Sequence, residues 1–364
     1  MKNGNFKKLI SSLAIVATAA LTACGGGGRG GGGGGSTASP AGTTGSTAST
    51  PTVVVTPPVI SITPAYTLAN PPGASYALGT AQRVMFDSLN QIRIGGGFGA
   101  LEQDSRLDQA AKAHADYVVA NYFTNGVKNQ SASVIQSDGF ITVHTESQGT
   151  PGFTGIKLAN RIAVTGYQAT ITSEVIAYSV GMKPGAEPDT KNCLSQLVNT
   201  VFHRASLMDT SMLEIGFGIS GNTIDKNGYL LRACVVDLSS KQTAPILTRG
   251  WSGIYPFDQQ VDVPLIFIGE NPDPIPSSPV KGSSISIQSA SGQTLLVTSF
   301  VLSDSNGLAV NSKVLTRTDS TFLRTNEAYL VPIGSLAANS SYFVTFVERV
   351  TEHLSIKAGH SEQL

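Results

Sequence analysis

The sequence predicts an α+β fold in which a domain of helices and strands precedes a small all-β sandwich. Helical periodicity dominates between Thr80 and about Arg204, and strand patterns follow at 214–220 and 228–237. Because no regular β-α-β alternation is present, a doubly wound parallel sheet is not expected. After Lys281, short alternating segments separated by turns are typical of a β-sandwich.

Length and composition narrow the classes of function. The 364 residues allow about two domains, and the formal net charge of zero gives no sign of a nucleic-acid partner. The apolar fraction of 41% is sufficient for buried cores. The three cysteines lack the spacing of a zinc knuckle. We therefore expect no nucleic-acid partner, and we expect a monomer.

The N-terminus has the pattern of an export signal. Three lysines lie within the first eight residues, and an apolar run over 9–20 is too short to span a membrane. The following Leu21-Thr22-Ala23-Cys24 resembles the lipobox of bacterial lipoproteins, although a plain signal peptide is the alternative. The resemblance implies that 1–23 is a lipoprotein signal peptide and that Cys24 is lipidated and holds the protein on a membrane. Gly25 after the cysteine favours the outer membrane by the same resemblance.

Residues 24–78 are predicted to form a flexible tether. A glycine run over 25–35 precedes a segment rich in Ser, Thr, Pro and Ala, and no Gly-Lys-Ser/Thr ending indicates a phosphate-binding loop. If Cys24 carries lipid, Cys193 and Cys234 remain as an even pair in an oxidising compartment. A disulfide between them is then expected.

Periodicity predicts the elements of the first domain. The second helix carries His114 at its buried side, where a histidine is more often a core group than a ligand, although a functional role is the alternative. The expected elements are helices from Thr80, from Ser105, over 153–165 and over 191–204, an extended run over 140–144, and strands over 170–180, 214–220 and 228–237.

Five motifs in a fixed order resemble those of the CAP superfamily (cysteine-rich secretory proteins, antigen 5 and pathogenesis-related proteins), in its bacterial secreted branch. The motifs are Leu89-Asn90-Gln91-Ile92-Arg93, the run from Leu107 to Tyr117, Arg161 with Gly166-Tyr167 and Ser173-Glu174-Val175-Ile176, Phe202-His203-Arg204, and Glu214-Ile215-Gly216-Phe217-Gly218. The resemblance implies a CAP-type α-β-α sandwich over 79–240. A Pro-rich connector over 241–280 and a small Ig-like β-sandwich over 281–364 would follow it.

The resemblance also implies a cleft. Carried over residue by residue, its members are His144, Glu174 and His203. Glu146 is the candidate second acid, because positions 144 and 146 of an extended segment lie on the same face. No second acid lies between Cys193 and His203.

Three kinds of chemistry fit these residues. The imidazoles of His144 and His203 could hold a divalent metal such as zinc, with Glu174 as a further ligand or as a partner of a ring N–H. Without metal, a carboxylate beside a histidine could act as a general base on water. The same groups could instead form a buried network that braces the sandwich.

We therefore expect a binding module whose cleft takes a small ligand, a peptide or a divalent metal. One alternative is a metal-dependent hydrolase acting on peptide or cell-wall material, for which no Gly-x-Ser-x-Gly nucleophile is present. Another is a structural or adhesive surface protein that acts through residues 281–364.

Overall fold

The computed structural model describes residues 73–123, 143–182, 190–221, 223–224, 230–242, 247, 250–267 and 269–350. All of them belong to one compact unit spanning 57–364. The predicted signal peptide, the lipidation site Cys24 and the tether as far as residue 72 lie outside the described residues. Within the described part of the chain, no helix has the length and apolarity needed to cross a membrane.

The described residues include five α-helices, and polar side chains cap the first two. Thr80 accepts a hydrogen bond from the backbone N–H of Arg83, and Asp104 accepts one from that of Arg106. The helices are α1 (Ala81–Gly95), α2 (Ser105–Val118), α3 (Leu158–Val164), α4 (Thr190–Val198) and α5 (Val201–Leu207).

Two local predictions need correction. The single helix expected over 191–204 is divided into α4 and α5, because the backbone at Thr200 is extended (φ −93°, ψ 163°). The extended run expected over 140–144 also fails where it can be checked, because residues 143 and 144 form a turn and 140–142 lie outside the described residues.

The first sheet contains five strands and is mainly antiparallel. Its order is β1-β3-β5-β2, with β4 paired to β5. The strands are β1 (Glu102–Gln103), β2 (Ile171–Met182), β3 (Glu214–Ile219), β4 (Thr223–Ile224) and β5 (Leu230–Ser240).

Helices cover both faces of this sheet, which makes an α-β-α sandwich. Alternate residues of a strand point to opposite faces. On β5, Val235 and its alternate neighbours pack against α2, whereas Val236 and its alternate neighbours pack against α1 and α4. The predicted disulfide between Cys193 on α4 and Cys234 on β5 is confirmed, with a Cα–Cα distance of 6.4 Å.

Two glycines of β3 allow α2 to lie unusually close to the sheet. A Cβ added at Gly216 would lie 2.2 Å from the carbonyl carbon of Leu107, and one at Gly218 would lie 2.1 Å from that of Ala111. The obstructing atoms are backbone and cannot rotate away. This face of β3 therefore accepts only glycine at these two positions.

The C-terminal region is all-β, with its core between two sheets. A four-stranded sheet has the order β6-β7-β10-β9, and β8 pairs with β11 in a second sheet. β6 lies within the segment expected to be a connector, yet it is hydrogen-bonded to β7 over four residues. The strands are β6 (Ser252–Tyr255), β7 (Ile285–Ser289), β8 (Leu295–Asp304), β9 (Ser312–Leu315), β10 (Glu327–Pro332) and β11 (Tyr342–Val350).

Buried polar contacts join this region to the sandwich. The indole N–H of Trp251 donates to the carbonyl of Gly97. Arg204 of α5 is fully buried and donates to the carbonyls of Val198 (2.6 Å) and Ser284 (2.7 Å), while its guanidinium lies 4.2 Å from the ring centre of Tyr255. The sandwich and the C-terminal strands therefore share an interior.

Candidate functional site

Glu174 of β2 is the centre of a buried network of charged side chains on the face of the sheet that α2 covers. Its side chain is only 3% exposed. One carboxylate oxygen lies 2.8 Å from Nδ1 of His144, and the other accepts a hydrogen bond of 2.6 Å from the guanidinium of Arg161. Burial by itself raises the pKa of Glu174, but His114, His144 and Arg161 outweigh burial and hold it well below the usual range. Glu174 is therefore an anion at neutral pH.

Glu146 is the second carboxylate of this network, and it too is buried. Its oxygens accept hydrogen bonds from the backbone N–H groups of Thr154 (2.6 Å) and Gly155 (3.2 Å) and lie 2.8 Å from Nδ1 of His114. Burial raises the pKa of Glu146. The hydrogen bond from His114 and those from the backbone lower the pKa by more than burial raises it, so the net shift is downward.

His114 is fully buried and interacts with acceptors through both ring nitrogens. Nδ1 faces the Glu146 carboxylate and Nε2 lies 2.9 Å from the carbonyl oxygen of Val143. Since an ionised carboxylate and a carbonyl oxygen can only accept, both ring nitrogens donate and the ring is an imidazolium. The buried position of His114 is consistent with the prediction that it is a core group. The packing places an acceptor next to each ring nitrogen.

Arg161 of α3 connects the two carboxylates. It donates to the Glu174 carboxylate and, over 3.0 Å, to the backbone carbonyl of His144. The two cations His114 and Arg161 therefore balance the two anions Glu146 and Glu174 in an environment where an unpaired charge would be costly.

Asp237 of β5 faces Glu174 directly across the β2–β5 ladder. It is fully buried, and its carboxyl group interacts with that of Glu174. Burial, followed by the negative charge of Glu174, raises the pKa of Asp237 well above its usual range. Asp237 therefore keeps its proton to a higher pH than an exposed aspartate does.

His144 is where the network reaches the surface. Its side chain is 40% exposed, while the Glu174 carboxylate that it contacts through Nδ1 is buried. A ring nitrogen held by a carboxylate fixes the orientation of the imidazole, and an imidazole oriented in this way is suited to bind a ligand or a cation.

His203 contacts a third acid. Its Nδ1 lies 2.8 Å from the hydroxyl of Thr200 and 3.5 Å from the carboxylate of Glu270. Its place in a cleft with His144 and Glu174 stays a prediction. The structure thus brings His144, Glu146 and Glu174 into one network and places His203 beside another acid. Among the residues that can be described, no group of three or more His, Cys, Asp or Glu side chains could hold a metal ion. The zinc hypothesis stays a prediction.

Comparison with known proteins identifies the first domain. Residues 86–236 match the model of the cysteine-rich secretory protein family, CAP. This region of the chain is a CAP domain. Its α-β-α architecture and the order of its motifs agree with the resemblance seen in the sequence.

Two solved structures are similar to this chain. An outer surface protein from Borrelia burgdorferi is 18% identical, with a TM-score of 0.31, and the match covers 47% of this chain and 100% of that one. An extracellular protein containing an SCP domain from Bacillus anthracis str. Ames is 15% identical, with a TM-score of 0.27 and coverage of 43% and 40%. The chain has no match among curated proteins.

Three participants were not predicted as site residues. Arg161 belongs to a quoted motif, but its role as a bridge between two carboxylates depends on the packing of α3 against β2. Asp237 lies in an apolar strand, where an isolated acid was a usable signal of a special environment. Glu270 gave no signal, because it lies 67 residues after His203 within a Pro-rich segment.

Proposed function

We propose that this CAP-domain protein binds a small ligand, a peptide or a divalent metal ion through the exposed edge of His144. One observation carries the proposal: a 40% exposed imidazole contacts, through Nδ1, a carboxylate that is 3% exposed. Neighbouring cations keep that carboxylate charged despite its burial, so the ring is oriented before any ligand arrives.

The rest of the network supports binding by rigidity. Arg161 fixes the backbone carbonyl of His144 as well as the Glu174 carboxylate, so main chain and side chain of the histidine are both held. A preorganised donor set reduces the entropy lost when a ligand binds.

A calorimetric titration with zinc tests the metal form of the proposal on the purified full chain. We expect micromolar or tighter binding that is lost in His144→Ala. The matched control is His353→Ala/His360→Ala, which removes two of the five histidines and leaves the network intact. Binding that persists in His144→Ala, or that disappears in the control, contradicts a zinc site at His144. The same three proteins screened with peptides and small lipids test the other ligand classes.

A metal-dependent hydrolase acting on peptide or cell-wall material is the second candidate. The observation in its favour is the same carboxylate–imidazole contact, because a buried carboxylate that orients a histidine is an arrangement suited to a general base. Turnover of a peptide library with added zinc, abolished in His144→Ala while the fold is intact, would favour the hydrolase. Binding without turnover would favour the binding module.

Attachment to the cell envelope is a further part of the proposal. It rests on the sequence at 1–24, which predicts export, cleavage and lipidation of Cys24, with the outer membrane as destination. Mass spectrometry of the protein produced in a bacterial host should show a lipid-modified N-terminus at Cys24. In Cys24→Ser the protein should leave the membrane fraction. An unmodified Cys24 would contradict the anchor.

A further inference from the structure

Glu270 is a fully buried carboxylate contributed by a segment outside the CAP match. Its oxygens accept hydrogen bonds from the backbone N–H groups of Val201 (2.9 Å) and Phe202 (2.8 Å) at the start of α5. The nearest histidine is His203 on the same helix, 3.5 Å away at Nδ1. A buried anion therefore lies beside an imidazole of the predicted cleft.

The hydrogen bonds around His203 determine its tautomer. The hydroxyl of Thr200 donates to the carbonyl of Leu197 over 2.8 Å. Its oxygen therefore acts as acceptor toward Nδ1 of His203, which carries the proton. The carboxylate of Glu270, close to the same nitrogen, stabilises that proton electrostatically. The lone pair is left on Nε2 of a side chain that is 22% exposed.

His203 and His144 thus have similar surroundings, although different elements of the fold provide them. In each case a buried carboxylate lies beside Nδ1 of a partly exposed ring, Glu174 for His144 and Glu270 for His203. The sequence between Cys193 and His203 contains no acid that could lie beside the His203 ring. Glu270, in the segment that follows the CAP domain, provides that acid.

We infer that Glu270 is the positioning residue of His203, so that a segment outside the CAP match orients a histidine of the CAP domain. This inference rests on the proposed function for its consequence, which is ligand binding at Nε2. The control of the His203 tautomer by Glu270 does not depend on any ligand and can be tested without one.

The tautomer is measured by ¹⁵N NMR of the full chain labelled at histidine, with His203 assigned from the signal missing in His203→Gln. In the wild type we expect the proton on Nδ1. In Glu270→Gln the carboxylate no longer stabilises the Nδ1 proton, and the Thr200 hydroxyl can rotate away from Leu197 to donate to Nδ1. His203 should therefore become a mixture of tautomers. The matched control Asp273→Asn changes a carboxylate in the same segment that pairs with Lys281 instead, and should leave the signal unchanged.

Thr200→Val keeps Glu270 and its hydrogen bonds to α5 intact, and so remains informative if Glu270→Gln does not fold. With the hydroxyl gone, Glu270 is the remaining acceptor near Nδ1, and the proton should stay there. A shift of the proton to Nε2 in this variant would overturn the inference. So would an unchanged tautomer in folded Glu270→Gln, which would leave Glu270 as a helix cap alone.

Zinc affinity supplies the functional readout, with the metal ion as the probe. Loss of a partner that orients a coordinating histidine costs about 10- to 100-fold in metal affinity. A fall of this size in Glu270→Gln would assign His203 to the zinc site, and an unchanged affinity would restrict the role of Glu270 to the His203 tautomer. Asp273→Asn should bind as the wild type does. If the wild type does not bind zinc, the metal form of the proposed function fails, while the NMR comparison still decides the role of Glu270.

Discussion

The close approach of α2 to β3 predicts that Gly218→Ala destabilises the protein strongly. The new Cβ would lie 2.1 Å from the carbonyl carbon of Ala111 and 2.2 Å from both its oxygen and the nitrogen of Lys112. Non-bonded carbon atoms separate to about 3.5 Å or more, so α2 would have to move from the sheet by more than about 1 Å.

The magnitude follows from two opposing effects. Forcing extra atoms into a packed interior costs about 1–3 kcal/mol and occasionally more, and a backbone obstruction favours the upper end. Replacing glycine by alanine also restricts the unfolded chain, which stabilises by about 0.4–1 kcal/mol. We expect a net loss of about 2 kcal/mol.

Gly221→Ala is the matched control, because no atom lies within 4 Å of the Cβ it would add. It should be neutral or stabilise by up to about 1 kcal/mol. Both variants are compared by urea unfolding followed through the fluorescence of Trp251, which is the only tryptophan and is buried against Phe98. Equal stabilities of Gly218→Ala and Gly221→Ala would refute the packing argument.

Three more substitutions test the interior. Asp237→Asn should gain stability relative to the wild type as the pH rises from 4 to 7. The raised pKa of Asp237 makes the native wild type bind one more proton than its unfolded chain, so the wild type loses about 1.4 kcal/mol per unit of pKa elevation over this range. A pH-independent difference between the two proteins in urea unfolding would contradict this. Arg204→Met should lower the unfolding free energy by about 2–4 kcal/mol, since two carbonyls lose their buried donor; unchanged stability would show that the contacts contribute nothing net. Cys193→Ser/Cys234→Ser should cost about 3–4 kcal/mol in unfolding measured without reductant, because the bridge closes a loop over a separation of 41 residues; unfolding as in the wild type would contradict this.

Local sequence was sufficient for much of the fold. The apolar spacing and polar caps of α1 and α2 are encoded within a few residues, and they appear as predicted. The order of motifs identified the CAP domain, and the disulfide was predicted from the two cysteines that remain when Cys24 is assigned to lipid. These features depend on residues close together in the sequence, on the order of motifs or on the number of cysteines.

Long-range pairing explains what the sequence could not show. The break at Thr200 depends on Glu270, which accepts the first N–H groups of α5 from 68 residues away. His203 was expected beside Glu174 because both belong to motifs of one family. The packing of the C-terminal region places a different carboxylate next to it, and no local pattern encodes that contact.

The four balanced charges beneath His144 also constrain how this sequence can change over generations. Loss of His114 or Arg161 alone would leave an excess anion in the interior, and loss of Glu146 or Glu174 alone an excess cation. A single buried unpaired charge costs about 3–5 kcal/mol, whereas exchange of a whole ionic group for apolar side chains can be neutral. Descendants of a common ancestor should therefore retain or replace these four residues together, as one inherited unit.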